Sequence, residues 1–145
     1  MNEFELIGRY FTRPTRHASL GIGDDCALIA PREGMQLAIS TDMLLEGRHF
    51  LPGADPEALG HKTLAVNLSD CAAVGAEPRY ALLAGAWPVA DPAWLEAFAR
   101  GFLALADRFE VELIGGDTTR GPRTFCVTII GEVPPGQALL RSGAR

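Results

Sequence analysis

The sequence is poor in the features that mark nucleic-acid binders, membrane proteins and disulfide scaffolds. Lys62 is its only lysine, and 13 Lys and Arg stand against 18 Asp and Glu, for a net charge of -5. Without a basic cluster, the electrostatic footprint of a nucleic-acid binder is missing. No apolar run reaches membrane-spanning length, and the N-terminus lacks the charged segment followed by an apolar run that a signal peptide requires. These absences predict a soluble, cytoplasmic protein with no membrane partner. Cys26, Cys71 and Cys126 are odd in number, widely spaced and set among apolar neighbours. That pattern reads as small buried hydrophobes rather than as a disulfide framework or zinc site.

What is present suffices for one core. A chain of 145 residues with 48% hydrophobic content buries one good core but hardly two. A first helix is expected over Asn2 to Phe11, with Asn2 and Glu5 as a cap pair and Phe4, Ile7 and Phe11 on one face. Strand-like runs follow at Cys26 to Ala30 and Leu37 to Thr41, and the "PREG" between them suits a hairpin turn. A helical pattern runs from Pro56 to about Val74 and stops at Gly75, after which "YALLAGAW" reads as a buried strand. Asp91 and Pro92 start another helix, in which Leu95, Phe98, Phe102, Leu105 and Phe109 recur at three- and four-residue steps. "VELIGGD" and "TFCVTIIGEV" complete the strands. The expected architecture is α+β, an α/β sandwich with two long helices packed on one face of a mixed sheet.

Four acids stand out on this scaffold. Asp25 precedes a strand, Asp42 ends "LAIST", Asp117 ends "VELIGG", and Asp70 lies inside the helix "AVNLSDCAAVGA". Within that helix Thr63, Asn67 and Asp70 share one polar lane, beside an apolar stripe of Leu64, Leu68, Cys71 and Gly75. Asp24, Asp25 and Asp117 suit turns as well as they suit a site, since Asp side chains bond nearby backbone amides. Asp70 has no capping task, so it either faces solvent or is held for chemistry. Carboxylates that converge without basic partners repel one another, and a divalent cation removes that cost. Single aspartates with substrate phosphates suit magnesium better than a closed calcium cage.

The phosphate chemistry is narrowed by further absences. There is no "GxxxxGK[ST]" loop, no protein-kinase loop set, and no DxD form of the kind expected for an aspartyl-phosphate mechanism. Metal-clamped direct transfer remains.

Four ordered blocks, "GIGDDCAL", "AISTDMLLEGRHF", "KTLAVNLSDCAAVGA" and "LIGGDTTRGP", together closely resemble the thiamine-monophosphate kinase family, over about Phe4 to Arg141. That family is grouped with aminoimidazole ribonucleotide synthetase and selenophosphate synthetase, ATP-users whose N-terminal sheets pair across two subunits. The resemblance implies a homodimer using ATP and thiamine monophosphate. By the same resemblance, residues 1–145 form the N-terminal ATP- and magnesium-binding domain, with the C-terminal domain absent from this chain. Carried over residue by residue, Asp25, Ser40, Thr41, Asp42, Asp70 and Asp117 would hold several magnesium ions. His49 would meet the thiamine phosphate, and Gly116, Asp117 and Arg141 the nucleotide. The resemblance implies transfer of the ATP γ-phosphoryl group to thiamine monophosphate, with the isolated domain inactive. A sister enzyme of the same superfamily, and a non-catalytic dimerisation or metal-binding module, remain as alternative readings.

Overall fold

The computed structural model describes residues 2–143. The element order is α1 (Glu3–Tyr10), β1 (Gln36–Leu45), α2 (Pro56–Val74), β2 (Glu77–Trp87), α3 (Pro92–Arg108), β3 (Glu112–Arg120) and β4 (Thr124–Val133), with a final short turn at Arg141–Gly143. The four strands form one sheet in the order β1-β4-β2-β3. β4 runs antiparallel to both of its neighbours, while β2 and β3 are parallel. Each helical crossover therefore joins parallel strands, α2 leading from β1 to β2 and α3 from β2 to β3. The expected α+β sandwich with a mixed sheet and two long helices on one face is the architecture observed.

Local signals explain the helices. Asn2 accepts the Glu5 N–H at 2.8 Å and Glu5 returns the bond to the Asn2 N–H at 3.0 Å, a reciprocal capping box. Asp55 caps α2 and Asp91 caps α3, each followed by a proline that suits the first helical turn. The inward face of α1 differs from expectation: Leu6 and Phe11 are buried, and Phe4 is 82% exposed. So short a helix touches the domain along one narrow line, and the tilt of its contact with α3 and β3 decides which residues face in.

The core lies between the sheet and α2 with α3. Phe98, Phe102 and Phe125 are fully buried there, and the Phe98 and Phe125 rings sit 4.6 Å apart between centroids. Burying each such ring contributes on the order of 2 kcal/mol or more. The stripe expected along α3 is buried from Leu95 to Leu105, but Phe109 caps the helix end and is largely exposed.

Three expectations are corrected. Cys26 to Ala30 is not a strand and forms no hairpin with β1; that stretch is a loop, joined by an isolated bridge between Leu20 and Leu28, and β1 pairs with β4. The loop instead packs Ala18, Ala27 and Ile29 against Tyr80 and Ile114. Asp42 and Asp117 lie within strands rather than at their ends, because β1 runs on to Leu45 and β3 to Arg120. Of the cysteines only Cys71 is buried; Cys126 is half-buried and Cys26 exposed.

Glu132 is the one charged side chain buried in the sheet. Arg32 donates its backbone N–H at 2.7 Å and its Nε at 2.8 Å to this carboxylate, and Arg79 stands 3.3 Å away. Burial pushes the carboxyl up, but these donors outweigh it and hold Glu132 below its ordinary value. The contact fixes the turn that feeds β1.

α2 and α3 touch backbone to backbone. A Cβ on Gly60 would land on the Phe98 carbonyl, and one on Gly101 on the Glu57 carbonyl. Gly60→Ala should therefore destabilise the fold by about 1–3 kcal/mol despite the better helix propensity of alanine, read as a lower urea midpoint with unchanged slope. A midpoint equal to or above that of the parent chain would refute this close contact.

Candidate functional site: an acidic pair at the edge strand

Alternation along β1 sorts its side chains. Ser40 and Asp42 sit on the helix-covered face, opposite Ile129 and Val127 of β4, while Thr41 turns to the other face and donates to the Val127 carbonyl at 3.0 Å. Above β1 lies α2, which brings Asp70 down onto the strand. The Ser40 hydroxyl donates to Asp70 Oδ2 at 3.2 Å. A hydrogen bond shared with Asp70 raises the Asp42 carboxyl above the usual value, burial and the like charge of Asp70 add to the rise, and His49 opposes it. Neither carboxylate has an Arg or Lys ion-pair partner among the described residues.

The polar lane of α2 points inward. Thr63 and Asn67 are 1% and 0% exposed, their side chains donating to the Leu59 and Thr63 carbonyls. Asn67 Oδ1 is left without a partner. Asp70 is thus the half-buried end of a buried polar row.

Beside the pair opens a cleft of 660 Å³, between β1, the end of α2 and the segment after β4, lined by Ser40, Asp70, Cys71 and Arg141 among others. The Leu139 N–H donates to the Val74 carbonyl at 3.0 Å, which lays the last segment against α2 and brings Arg141 to the Asp70 side. Three residues singled out in the sequence, Ser40, Asp70 and Arg141, therefore share one cavity. His49 lies in the turn after β1, its Nδ1 accepting the Leu45 N–H at 2.9 Å.

The other candidates lie elsewhere. Asp117 is in register with Ala84 on the face that the helices leave uncovered. Gly116 just before it has φ 145°, and a Cβ there would strike the Leu83 carbonyl, so only glycine lets β3 approach β2 here. Asp25 is exposed in the loop that packs on that same face. Among the described residues, no group of three or more His, Cys, Asp and Glu side chains is placed to hold one metal ion. The donors of the acidic pair, two carboxylates and a hydroxyl, are all oxygen and fit a hard divalent cation that keeps several waters.

Sequence reading missed Glu112. Its carboxylate accepts the backbone N–H groups of Arg16, His17 and Ala18, fastening the strand edge to the segment that leads to Asp25. Burial pushes this carboxyl up, and the three amides bring it below its ordinary value. No local pattern marks a carboxylate whose partners lie more than ninety residues away.

Fold and site together define an α+β sandwich domain with an acidic cleft at its edge strand. The chain belongs to the family of AIR synthase related proteins, whose N-terminal domain model matches residues 23–133. It is similar to thiamine-monophosphate kinase of Salmonella typhimurium, 53% identical over 147 residues, covering 99% of this chain and 45% of that protein. The fold is similar to that of thiamine-monophosphate kinase from Stenotrophomonas maltophilia, at TM-score 0.82 and 48% identity, covering 95% of this chain and 43% of the other. It is also similar to AaThiL complexed with AMPPCP and TMP, at TM-score 0.73 and 31% identity, covering 80% and 38% of the two chains. The chain thus spans a little under half the length of the curated relatives it matches.

The raised Asp42 carboxyl has a definite sign. Just above the ordinary value of 3.8 the folded chain keeps a proton that the unfolded chain has released, so the metal-free fold loses stability as pH rises through that window. Asp42→Asn keeps the shape and can donate to Asp70, so at neutral pH in chelator it should raise the melting temperature. Saturating magnesium should stabilise the parent chain, by about 2.7 kcal/mol at a hundredfold excess over Kd, and stabilise Asp42→Asn less. Equal magnesium shifts in both would remove Asp42 from the cation site.

Proposed function

We propose that this chain is the N-terminal ATP- and magnesium-binding domain of a thiamine-monophosphate kinase. The observation that carries the reading is the unpaired Asp42 and Asp70 carboxylates beside a cleft that also holds Ser40 and Arg141. Supporting it are the similarity to named thiamine-monophosphate kinases over 99% of the chain and the related fold of AaThiL complexed with AMPPCP and TMP.

The reaction is in-line attack by a monophosphate oxygen of thiamine monophosphate on the γ-phosphorus of ATP. The bond from that phosphorus to the β,γ-bridging oxygen breaks, ADP leaves, and no covalent enzyme intermediate forms. Magnesium, when bound, offsets the repulsion between the approaching phosphates. Asp42 and Asp70 would hold it, with Asp25, Asp117 and the Thr41 backbone assigned to further ions. Ser40 orients Asp70 through its hydroxyl. Arg141 offers a planar fork of donors to nucleotide phosphate oxygens, and Gly116 leaves the backbone open beside Asp117. His49 donates from Nε2 toward the acceptor phosphate. In-line transfer needs both phosphates held and shielded from water, so the 145-residue chain alone should form no thiamine diphosphate.

Titration calorimetry tests the reading. A non-hydrolysable ATP analogue should bind this chain only with magnesium present, and Asp70→Asn should weaken that binding at least tenfold while leaving the circular dichroism spectrum unchanged. Magnesium binding without any nucleotide binding would replace the reading with that of a metal-binding or dimerisation module.

A homodimer is part of the same proposal. Ile39 and Met43 of β1 are 64% and 53% exposed on the uncovered sheet face, with Leu37 and Leu45 beside them. A second copy of this chain would cover that apolar row about a two-fold axis. Sedimentation should give a dimer for the parent chain and a monomer for Ile39→Lys; a monomeric parent at high micromolar concentration would overturn the pairing.

A further inference from the structure

Lys62 is exposed on the first half of α2, where a lone lysine would ordinarily extend into water. Here it bends to the neighbouring turn, and its Nζ donates to the His49 carbonyl at 2.6 Å. That turn, Glu46 to Phe50, links β1 to the approach to α2, and it is anchored at both ends. At its start the Glu46 N–H donates to the Arg123 carbonyl, and the Arg123 guanidinium donates back to Glu46 Oε2 at 2.9 Å. Arg123 is itself held 4.4 Å above the Trp94 ring. At its end Phe50 stacks on buried Phe125, with centroids 5.9 Å apart. Between these anchors the chain closes on itself, the Gly47 N–H meeting the Phe50 carbonyl at 2.7 Å and the His49 N–H the Leu45 carbonyl at 2.8 Å.

The turn fixes the chemistry of the His49 ring. Because Nδ1 accepts the Leu45 N–H, the neutral ring carries its proton on Nε2 and offers that N–H outward as a donor. Rotation of the ring, or a peptide flip at His49, would exchange donor for acceptor. Arg123 and Phe125 secure the ends of the turn, Leu45 holds the His49 N–H and ring nitrogen, and Lys62 holds the His49 carbonyl. We propose that Lys62 is a positioning residue, whose bond to the His49 carbonyl locks the turn so that His49 presents Nε2–H to the phosphate of the acceptor substrate. This assignment rests on the kinase reading for the identity of the phosphate, but the lock itself is a property of the chain alone.

The test uses this chain with Lys62→Met and Lys62→Arg. Above the imidazole titration range, the nitrogen-15 shifts of His49 should report the Nε2–H tautomer in the parent, and the Leu45 amide should exchange slowly with solvent. In Lys62→Met the shifts should move toward a tautomer average and Leu45 exchange should rise at least tenfold. The Kd for thiamine monophosphate with magnesium should weaken about tenfold, and that for the ATP analogue should not change. Lys62→Arg should keep the parent values of all four. Unchanged shifts and exchange in Lys62→Met would overturn the lock, as would equal weakening of both ligands or a Lys62→Arg variant that behaves like Lys62→Met. If thiamine monophosphate fails to bind the parent chain, the kinase reading falls while the His49 shifts and Leu45 exchange still decide the lock.

Discussion

The close contact of α2 with α3 is the constraint on which the rest of this domain depends. Four strands at about 4.8 Å spacing make a sheet roughly 19 Å wide, and two helices cover that width only when their axes lie about 8–10 Å apart. Gly60 and Gly101 set that distance by leaving each backbone bare where the other helix crosses it. With Phe98 of α3 packed against Trp87 and Phe125, the contact leaves α2 above β1 and β4. The descent of Asp70 onto Ser40 follows from the same packing. A looser helix pair would carry Asp70 away from β1 and dissolve the site.

The cost of the arrangement falls on the acidic pair. Two carboxylates close enough to share a hydrogen bond, half-buried and without a basic partner, are an unfavourable element of a metal-free fold, and the raised Asp42 carboxyl records it. Elsewhere the domain treats its buried acids differently. Glu132 has two arginines and Glu112 three backbone amides. Those two carboxylates fasten loops to the ends of the sheet; Asp70 takes one Ser40 hydroxyl, and neither it nor Asp42 meets a basic side chain among the described residues. The contrast separates acids paired with donors from acids left without a basic partner within one chain.

The sheet divides the remaining candidates. Asp42 and Asp70 lie on the helix-covered side, whereas Asp117 and the loop carrying Asp25 lie on the side where the apolar row of β1 is exposed. Residues that line up in sequence as one acidic set are thus spread over two faces of the fold.

The sequence by itself determined the elements whose signals are local. Caps at Asn2 and Asp91, the break at Gly75 and the periodicity of Leu95 to Leu105 define the helices, because capping and amphipathic spacing act within a few residues. The acidic residues of interest were also legible, Asp70 most of all, since nothing in its helix gave it another task. Tertiary structure decided whatever depends on long-range pairing. The strand expected at Cys26 to Ala30 became a loop because β4 took its place beside β1, and no local pattern states which of two apolar runs a strand will choose. The inward turn of Thr63 and Asn67, and the grip of Lys62 on His49, depend on where α2 comes to rest. Glycines some forty residues apart fix that position, through a contact between backbones that side-chain patterning does not encode.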